Sequence, residues 1–399
     1  MLSLALLGIA VSRRYGPSGR GLFAAATNIG TLAAHLAAFG LAQATLYYAA
    51  KNHGNEQELG TLKDTLRRLI SRRMPAAAIL GLLISILVTG SWTLSFSTAT
   101  LSGALLVYSI RHEYVHGLSE FRSWNHVRLT FSVGSLLFGL GALLLQSNVA
   151  VVVGGQTMAA IAALAGTRAW WKRRPKQRTR KTAHPDSVDG LTTYARRAFV
   201  GFIAQVANAR IDIVVLSLVV SPSEVGNYSA AVAIAMLPML AIDTLSATTG
   251  PRIARGTGGS SGRTLAFKTL GLGFAASLTA ALLIAATAEV VVRLLYGSEF
   301  QDAISLLRVL AIASIPRAMN RLMGGVLRAS GHPEWPSRAE LAALCITIPG
   351  LLFLAPTYGA PAAAYISLVA YLVTLSIGMV GTKRVLTSHS IDTSSPTDL

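Results

Sequence analysis

The sequence predicts an all-α polytopic membrane protein of about twelve transmembrane helices, arranged as two pseudo-symmetric six-helix bundles with a short first helix. Three observations predict it. Apolar stretches near the ~20 residues that a span requires recur along the whole chain. Basic residues gather in every second connection. A ten-residue pattern occurs twice at corresponding places. Hydrophobic residues make up 52% of the 399 and charged residues only 13%, a balance foreign to soluble chains of this length. A secretory signal would supply one short apolar run at the start, whereas here the runs continue to the end.

The spans read as residues 1–12, 21–50, 76–90, 98–118, 129–146, 149–167, 198–220, 226–249, 269–292, 304–325, 340–355 and 362–381. The connections 51–73, 111–128, 168–197, 252–268 and 321–338, with Lys383 and Arg384, hold 28 of the 35 Lys and Arg. The alternate connections hold only Arg13, Arg14, Arg20, Arg293 and Arg308. Positively charged loops stay on the cytoplasmic side, so this asymmetry places both termini inside and requires an even number of spans. The net charge of +18 is thereby a topology signal, and no nucleic-acid partner is read from it.

The longest polar interruption, 168–197, opens with Trp170 and Trp171 and continues as a basic cytoplasmic linker. It separates an N-terminal six-helix bundle, 1–167, from a C-terminal one, 198–385, which a disordered Ser, Thr and Asp-rich cytoplasmic tail follows at 386–399. The pattern P-S-x-x-G-x-aromatic-x-A-A begins at Pro17 and again at Pro222, each time opening the second helix of its half. An even number of helices per half leaves the two copies in the same orientation, related by an axis along the membrane normal with a cleft between them. Before Pro222 there is room for a full helix from Ala198, but before Pro17 only sixteen residues, so a truncated N-terminus is expected. In 58–74, Leu59, Leu62, Leu66 and Leu69 share one helical face and Lys63, Arg67, Arg68, Arg72 and Arg73 lie elsewhere. That pattern predicts an interfacial helix with its leucines in the cytoplasmic leaflet.

Few residues offer chemistry. The single cysteine, Cys345, excludes a disulfide framework and a cysteine metal site. His112-Glu113-Tyr114-Val115-His116 is an H-E-x-x-H on a helix, where two imidazoles four apart can share zinc with the glutamate as base. A hydrolytic zinc needs a third protein ligand, and Asp243 is the nearest buried candidate; the alternative is a polar mouth of the fourth helix. Gly258-Gly259-Ser260-Ser261-Gly262 reads as a flexible loop rather than a phosphate cradle. Ionisable and amide groups inside spans stand out, because a charge at the bilayer centre costs about 2.5–3.5 kcal/mol on insertion scales. Asn208, Arg210 and Asp212 lie in the seventh helix, Asp243 in the eighth, and Arg317 and Asn320 in the tenth beside Pro316. Arg210 and Asp212 are two apart and do not share a face, which favours separate partners across the bundle. Structural pairing and a ligand role both fit this set. Glu289, Arg293, Glu299 and Asp302 fall at outer helix ends, where water reaches them.

At these residues the chain resembles the polysaccharide flippases, the oligosaccharide-lipid exporters of the multidrug/oligosaccharidyl-lipid/polysaccharide superfamily. The segments that carry the resemblance are Tyr15-Gly16-Pro17-Ser18-Gly19-Arg20-Gly21, Arg210-Ile211-Asp212 before Val225-Gly226-Asn227-Tyr228, Leu295-Tyr296-Gly297-Ser298-Glu299-Phe300, Ala329-Ser330-Gly331 and Pro356-Thr357-Tyr358-Gly359-Ala360. It covers nearly the whole chain, and Gly117, Leu118, Phe121, Arg122 and Asn125 place the H-E-x-x-H inside an ordinary segment of that family. The resemblance implies a transporter without cofactor or metal, in a bacterial inner membrane, moving undecaprenyl-diphosphate-linked oligosaccharide from the cytoplasmic to the outer leaflet by alternating access. Arg210 is the first candidate for the diphosphate, then Arg317 and Arg20, with Asn208 and Asn320 beside them; Asp212 and Asp243 would hold those arginines or bind a coupling cation. The partners are the lipid-linked oligosaccharide and the membrane, with a polysaccharide polymerase and glycosyltransferases as protein partners. The rivals are a multidrug or cation antiporter of the same superfamily and an intramembrane zinc metalloprotease.

Overall fold

A computed structural model describes residues 2–145, 148–173, 187–256, 260–330, 332 and 334–388, and all its regular elements are helices. The chain divides into two compact units, 1–218 and 219–399. The first contains α1 (Leu2–Ala38), α2 (Leu41–Lys51), α3 (Glu56–Thr89), α4 (Trp92–Gly117), α5 (Phe121–Leu144), α6 (Val149–Arg173), α7 (Ser187–Asn208) and α8 (Ile211–Val219). Within it α5 lies on α6, α3 on α4, and α1 against α3, α4 and α5. Lipid tails are as apolar as leucine, so close backbone approach and hydroxyl bonds hold such helices together. The α3–α4 seam shows both: a Cβ at Gly81 would meet Ser102 Oγ at 2.1 Å, and Ser85 Oγ donates to Thr98 Oγ1 at 3.3 Å.

The second unit contains α9 (Pro222–Ala235), α10 (Met239–Gly256), α11 (Ser260–Leu295), a 3-10 turn (Ser298–Phe300), α12 (Gln301–Ala329) and α13 (Glu334–Ser388). Here α12 is the central strut, packed by α9, α10, α11 and α13. Buried Tyr228 of α9 reaches Ser367 Oγ of α13 at 3.2 Å. Glu224 accepts the Ala360 N–H at 3.1 Å, so a side chain of α9 holds the bend of α13. In both units large apolar side chains stand outward, Leu144 at 83% exposure and Phe353 at 79%, as a surface solvated by lipid requires.

The two copies of the repeated pattern are buried alike: Phe23, Ala25 and Ala26 in α1 match Tyr228, Ala230 and Ala231 in α9. Three Tyr-Gly pairs make sharp reversals. Gly16 (φ 64, ψ −167) kinks α1, Gly297 (φ 100, ψ −180) separates α11 from the 3-10 turn, and Gly359 (φ 64, ψ −154) kinks α13. That region of φ/ψ is open essentially to glycine alone.

Seven described helices are long and apolar enough to cross a membrane, or nine if each of two bent pairs counts once: α7 with α8, bent by 57°, and α9 with α10, bent by 44°. Pro238 lies in the second break and accounts for it by removing a backbone donor. The helix expected to float in the leaflet at 58–74 is instead the lower part of the 34-residue α3. Leu59, Leu62 and Leu66 are buried in the protein core rather than in lipid, with Lys63, Arg67, Arg68 and Arg72 turned outward. Ser260, Ser261 and Gly262, expected in a loop, already belong to α11. Residues 257–259 lie outside the described residues, as do 174–186 of the linker and 389–399 of the tail; α13 runs on to Ser388, past the expected start of the tail at 386.

Gly297→Ala tests the turn geometry. No atom crowds a Cβ there, so the substitution should cost only backbone strain, about 1–3 kcal/mol, read as a lower unfolding temperature of the purified protein. Gly359→Ala should cost more, because its Cβ would also meet Glu224 Oε2 at 2.3 Å. Gly271→Ala, uncrowded inside α11, should be neutral or raise the unfolding temperature.

Candidate functional site

The polar groups inside the spans fall into two sets, one in each unit. In the first unit α7 ends at Asn208 and α8 begins at Ile211, with Ala209 and Arg210 forming the break between them. The Arg210 N–H donates to Ala207 O at 2.8 Å, a tight turn in place of the helical bond. Its guanidinium Nη1 donates to Asn28 Oδ1 on α1 at 2.9 Å. Asn28 Nδ2 donates in turn to Ala24 O at 2.8 Å, which fixes the amide so that its oxygen faces the arginine. Two turns further along α1, His35 Nδ1 lies 2.7 Å from Thr31 O. A carbonyl only accepts, so Nδ1 carries the proton. Asp212 opens α8, buried at 7% exposure, and its Oδ1 accepts the Ile213 N–H at 2.8 Å. No proline or glycine breaks this helix; Asn and Asp flanking the break compete locally with the backbone ladder.

Arg20 does not join Arg210. It is buried at 7% exposure inside the first unit, its guanidinium against Gly8, where an added Cβ would meet Arg20 Nη1 at 2.1 Å. Asn208 is the last residue of α7 and half-buried.

In the second unit the Arg317 guanidinium donates to Tyr371 Oη on α13 and lies 5.0 Å from the centre of that ring. Asn320, one turn on, faces α13: its Oδ1 would be 3.5 Å from a Cβ at Gly378. Asp243 of α10 pairs with Arg321, Nε to Oδ1 2.7 Å, the two side chains being 41% and 42% exposed. Sequence reasoning did not single out Arg321, Tyr371, Asn28 or His35. Arg321 lies four residues from Arg317, the spacing that shares a helix face. Asn28 was legible as an amide in an alanine-rich span.

The H-E-x-x-H makes a different structure from a zinc site. Glu113 takes both histidines on its own carboxylate, His112 Nδ1 at 3.4 Å from Oε1 and His116 Nδ1 at 3.1 Å from Oε2. Trp124 of α5 closes over both rings, with centroids 5.2 and 4.7 Å away. Among the described residues no three His, Cys, Asp or Glu side chains converge on one metal position. This cluster clamps α4 to α5.

The fold is that of the transporters of the MOP superfamily. An inward-facing multidrug resistance MATE family transporter of that superfamily superposes with a TM-score of 0.73 at 13% identity, over 99% of this chain and 96% of its own. The lipid II flippase MurJ in an inward closed conformation gives 0.70 at 12% identity, over 100% and 92%. A MOP superfamily transporter from Pyrococcus furiosus gives 0.63 at 13%, over 99% and 93%. No curated protein sequence matches the chain. The family described as polysaccharide biosynthesis protein matches residues 4–257. The chain belongs to that family: it is a multi-pass membrane protein of polysaccharide biosynthesis with the fold of those transporters.

Zinc analysis checks the reading of the histidine cluster. The purified protein should hold no stoichiometric zinc, with the same trace content in His112→Ala and His116→Ala. One equivalent lost in both variants would restore the metal site.

Proposed function

We propose that the protein moves a lipid-linked oligosaccharide, carried on undecaprenyl diphosphate, from the cytoplasmic to the outer leaflet by alternating access of two six-helix bundles. Seven apolar helices and two bent pairs support the arrangement; the proposal reaches twelve spans by adding α12 and by dividing α1 at Gly16 and α13 at Gly359. In this reading 168–197 is the cytoplasmic linker, both termini are cytoplasmic, and the membrane is a bacterial inner membrane. The polymerase and glycosyltransferases that share this substrate are its working partners.

The observation that carries the proposal is Arg210, held in a break of a span by an amide. Asn28 orients the guanidinium, the Asp212 carboxylate lies within its electrostatic reach, and the planar fork matches two phosphate oxygens at once. Broken spans in transporters put binding groups and free backbone at mid-membrane, where an unbroken helix offers neither. Arg317, oriented by Tyr371, repeats the device in the second unit with Asn320 beside it. Arg20, Asn208, Asp212 and Asp243 complete the proposed set as binding groups, charge partners or coupling groups. An inside-negative potential favours outward movement of two negative charges by about 4–5 kcal/mol per 100 mV, so ion coupling is an addition rather than a necessity.

The multidrug transporter among the similar structures invites a cation-export reading. The arginines oppose it, since an organic cation would have to enter beside fixed positive charge. Arg210→Ala should abolish appearance of sugar-lipid in the outer leaflet of intact cells while insertion and abundance stay unchanged. Undiminished export in that variant would remove the proposed site.

A further inference from the structure

Arg317 and Arg321 are not an isolated pair. One turn of helix takes 3.6 residues, so Arg321 lies about 40° and Arg328 about 20° around the axis from Arg317. The three arginines form a single stripe on α12, with rises of about 6 Å and then about 10 Å towards the helix end at Ala329. Gly324 sits on the same stripe between Arg321 and Arg328. A Cβ there would lie 3.4 Å from both Arg328 Nη1 and Nη2, so the Arg328 guanidinium folds back over the glycine. That brings it into electrostatic reach of Arg321, with Glu340 as its opposite charge. Asp243 lies on Arg321, and Tyr371 receives Arg317. Three like charges on one face of a membrane helix are tolerated only where that face is wet, and the 42% exposure of Arg321 and 41% of Asp243 are then exposure to water rather than lipid.

We infer that Arg328, Arg321 and Arg317 form an anion track on α12 that takes a phosphate or diphosphate group at the helix end and passes it towards mid-membrane, with Asp243 occupying Arg321 as an internal competitor until the anion displaces it. This rests on the proposed transport of a diphosphate lipid and assigns a second contact for it, separate from Arg210. At Arg321 the anion exchanges with the Asp243 carboxylate and at Arg317 with the Tyr371 hydroxyl; no covalent bond is made or broken.

The test uses the purified full chain in neutral detergent, with farnesyl diphosphate as probe and inorganic pyrophosphate and farnesol as separating ligands. Arg321→Gln and Arg328→Gln should each weaken farnesyl diphosphate binding by about tenfold. Asp243→Asn should strengthen it, and Arg308→Gln, about 180° around the same helix, should leave it unchanged. Competition by pyrophosphate would show that the track reads phosphate from a free or a lipid source; competition by farnesol would show a lipid-tail site and overturn the inference. If Arg321→Gln unfolds because Asp243 is left unpaired, the double variant Asp243→Asn/Arg321→Gln removes that cause and must still bind weakly. Unchanged binding in the α12 variants, with binding lost in Arg210→Gln, would sink the track and leave the Arg210 reading standing. Loss in the α12 variants alone would do the reverse, and no binding to the unaltered protein would remove both.

Discussion

A guanidinium halfway along a membrane span is the constraint on which this structure turns. Such a charge costs about 2.5–3.5 kcal/mol on insertion scales even when its helix is intact. Here the helix is broken as well, between Asn208 and Ile211, and the Arg210 side chain is set against Asn28 of α1. The break and the arginine explain each other. The bond across to α1 anchors the arginine at the break, where the two half-helices meet at a 57° bend.

Close packing surrounds that break. Alanines and glycines let α1, α3 and α4 approach closely, and hydroxyls such as Ser85 and Thr98 tie the seam. In the second unit the same role falls to buried Tyr228 and to Glu224, which grips the bend of α13. Other backbone bends fall at a few glycines and at the break at Pro238. The H-E-x-x-H belongs with these struts: its glutamate is spent on its own histidines under Trp124.

Legibility in the sequence followed the physics of each feature. The lipid-facing surface is set by apolar runs, so most spans were readable, and the charge asymmetry organised them into alternating connections. Residues 58–74 misled because amphipathicity does not say what covers the apolar face; Leu59, Leu62 and Leu66 meet protein, which turns an expected interfacial helix into the foot of α3. The break at Arg210 was invisible to a search for proline and glycine, since polar Asn208 and Asp212 flank it instead. Arg210, Arg317 and Asp243 were visible as polar residues in apolar runs, but their partners were not. Asp243 meets Arg321, and nothing in spacing along one helix predicts which neighbour another helix supplies. The three Tyr-Gly reversals were present as motifs, while their shared backbone geometry became apparent only in the folded chain.

A charge at Arg210 requires water at the break. Ala209 stands exposed beside it, and Cys345, itself exposed, can be replaced by alanine to give a cysteine-free background. In that background, Ala209→Cys should react in intact membranes with a charged, membrane-impermeant thiol reagent, while Leu282→Cys on the outward face of α11 stays silent. Reaction at Ala209 no faster than at Leu282 would place the arginine in lipid or in a dry seam, where it could not receive a phosphate.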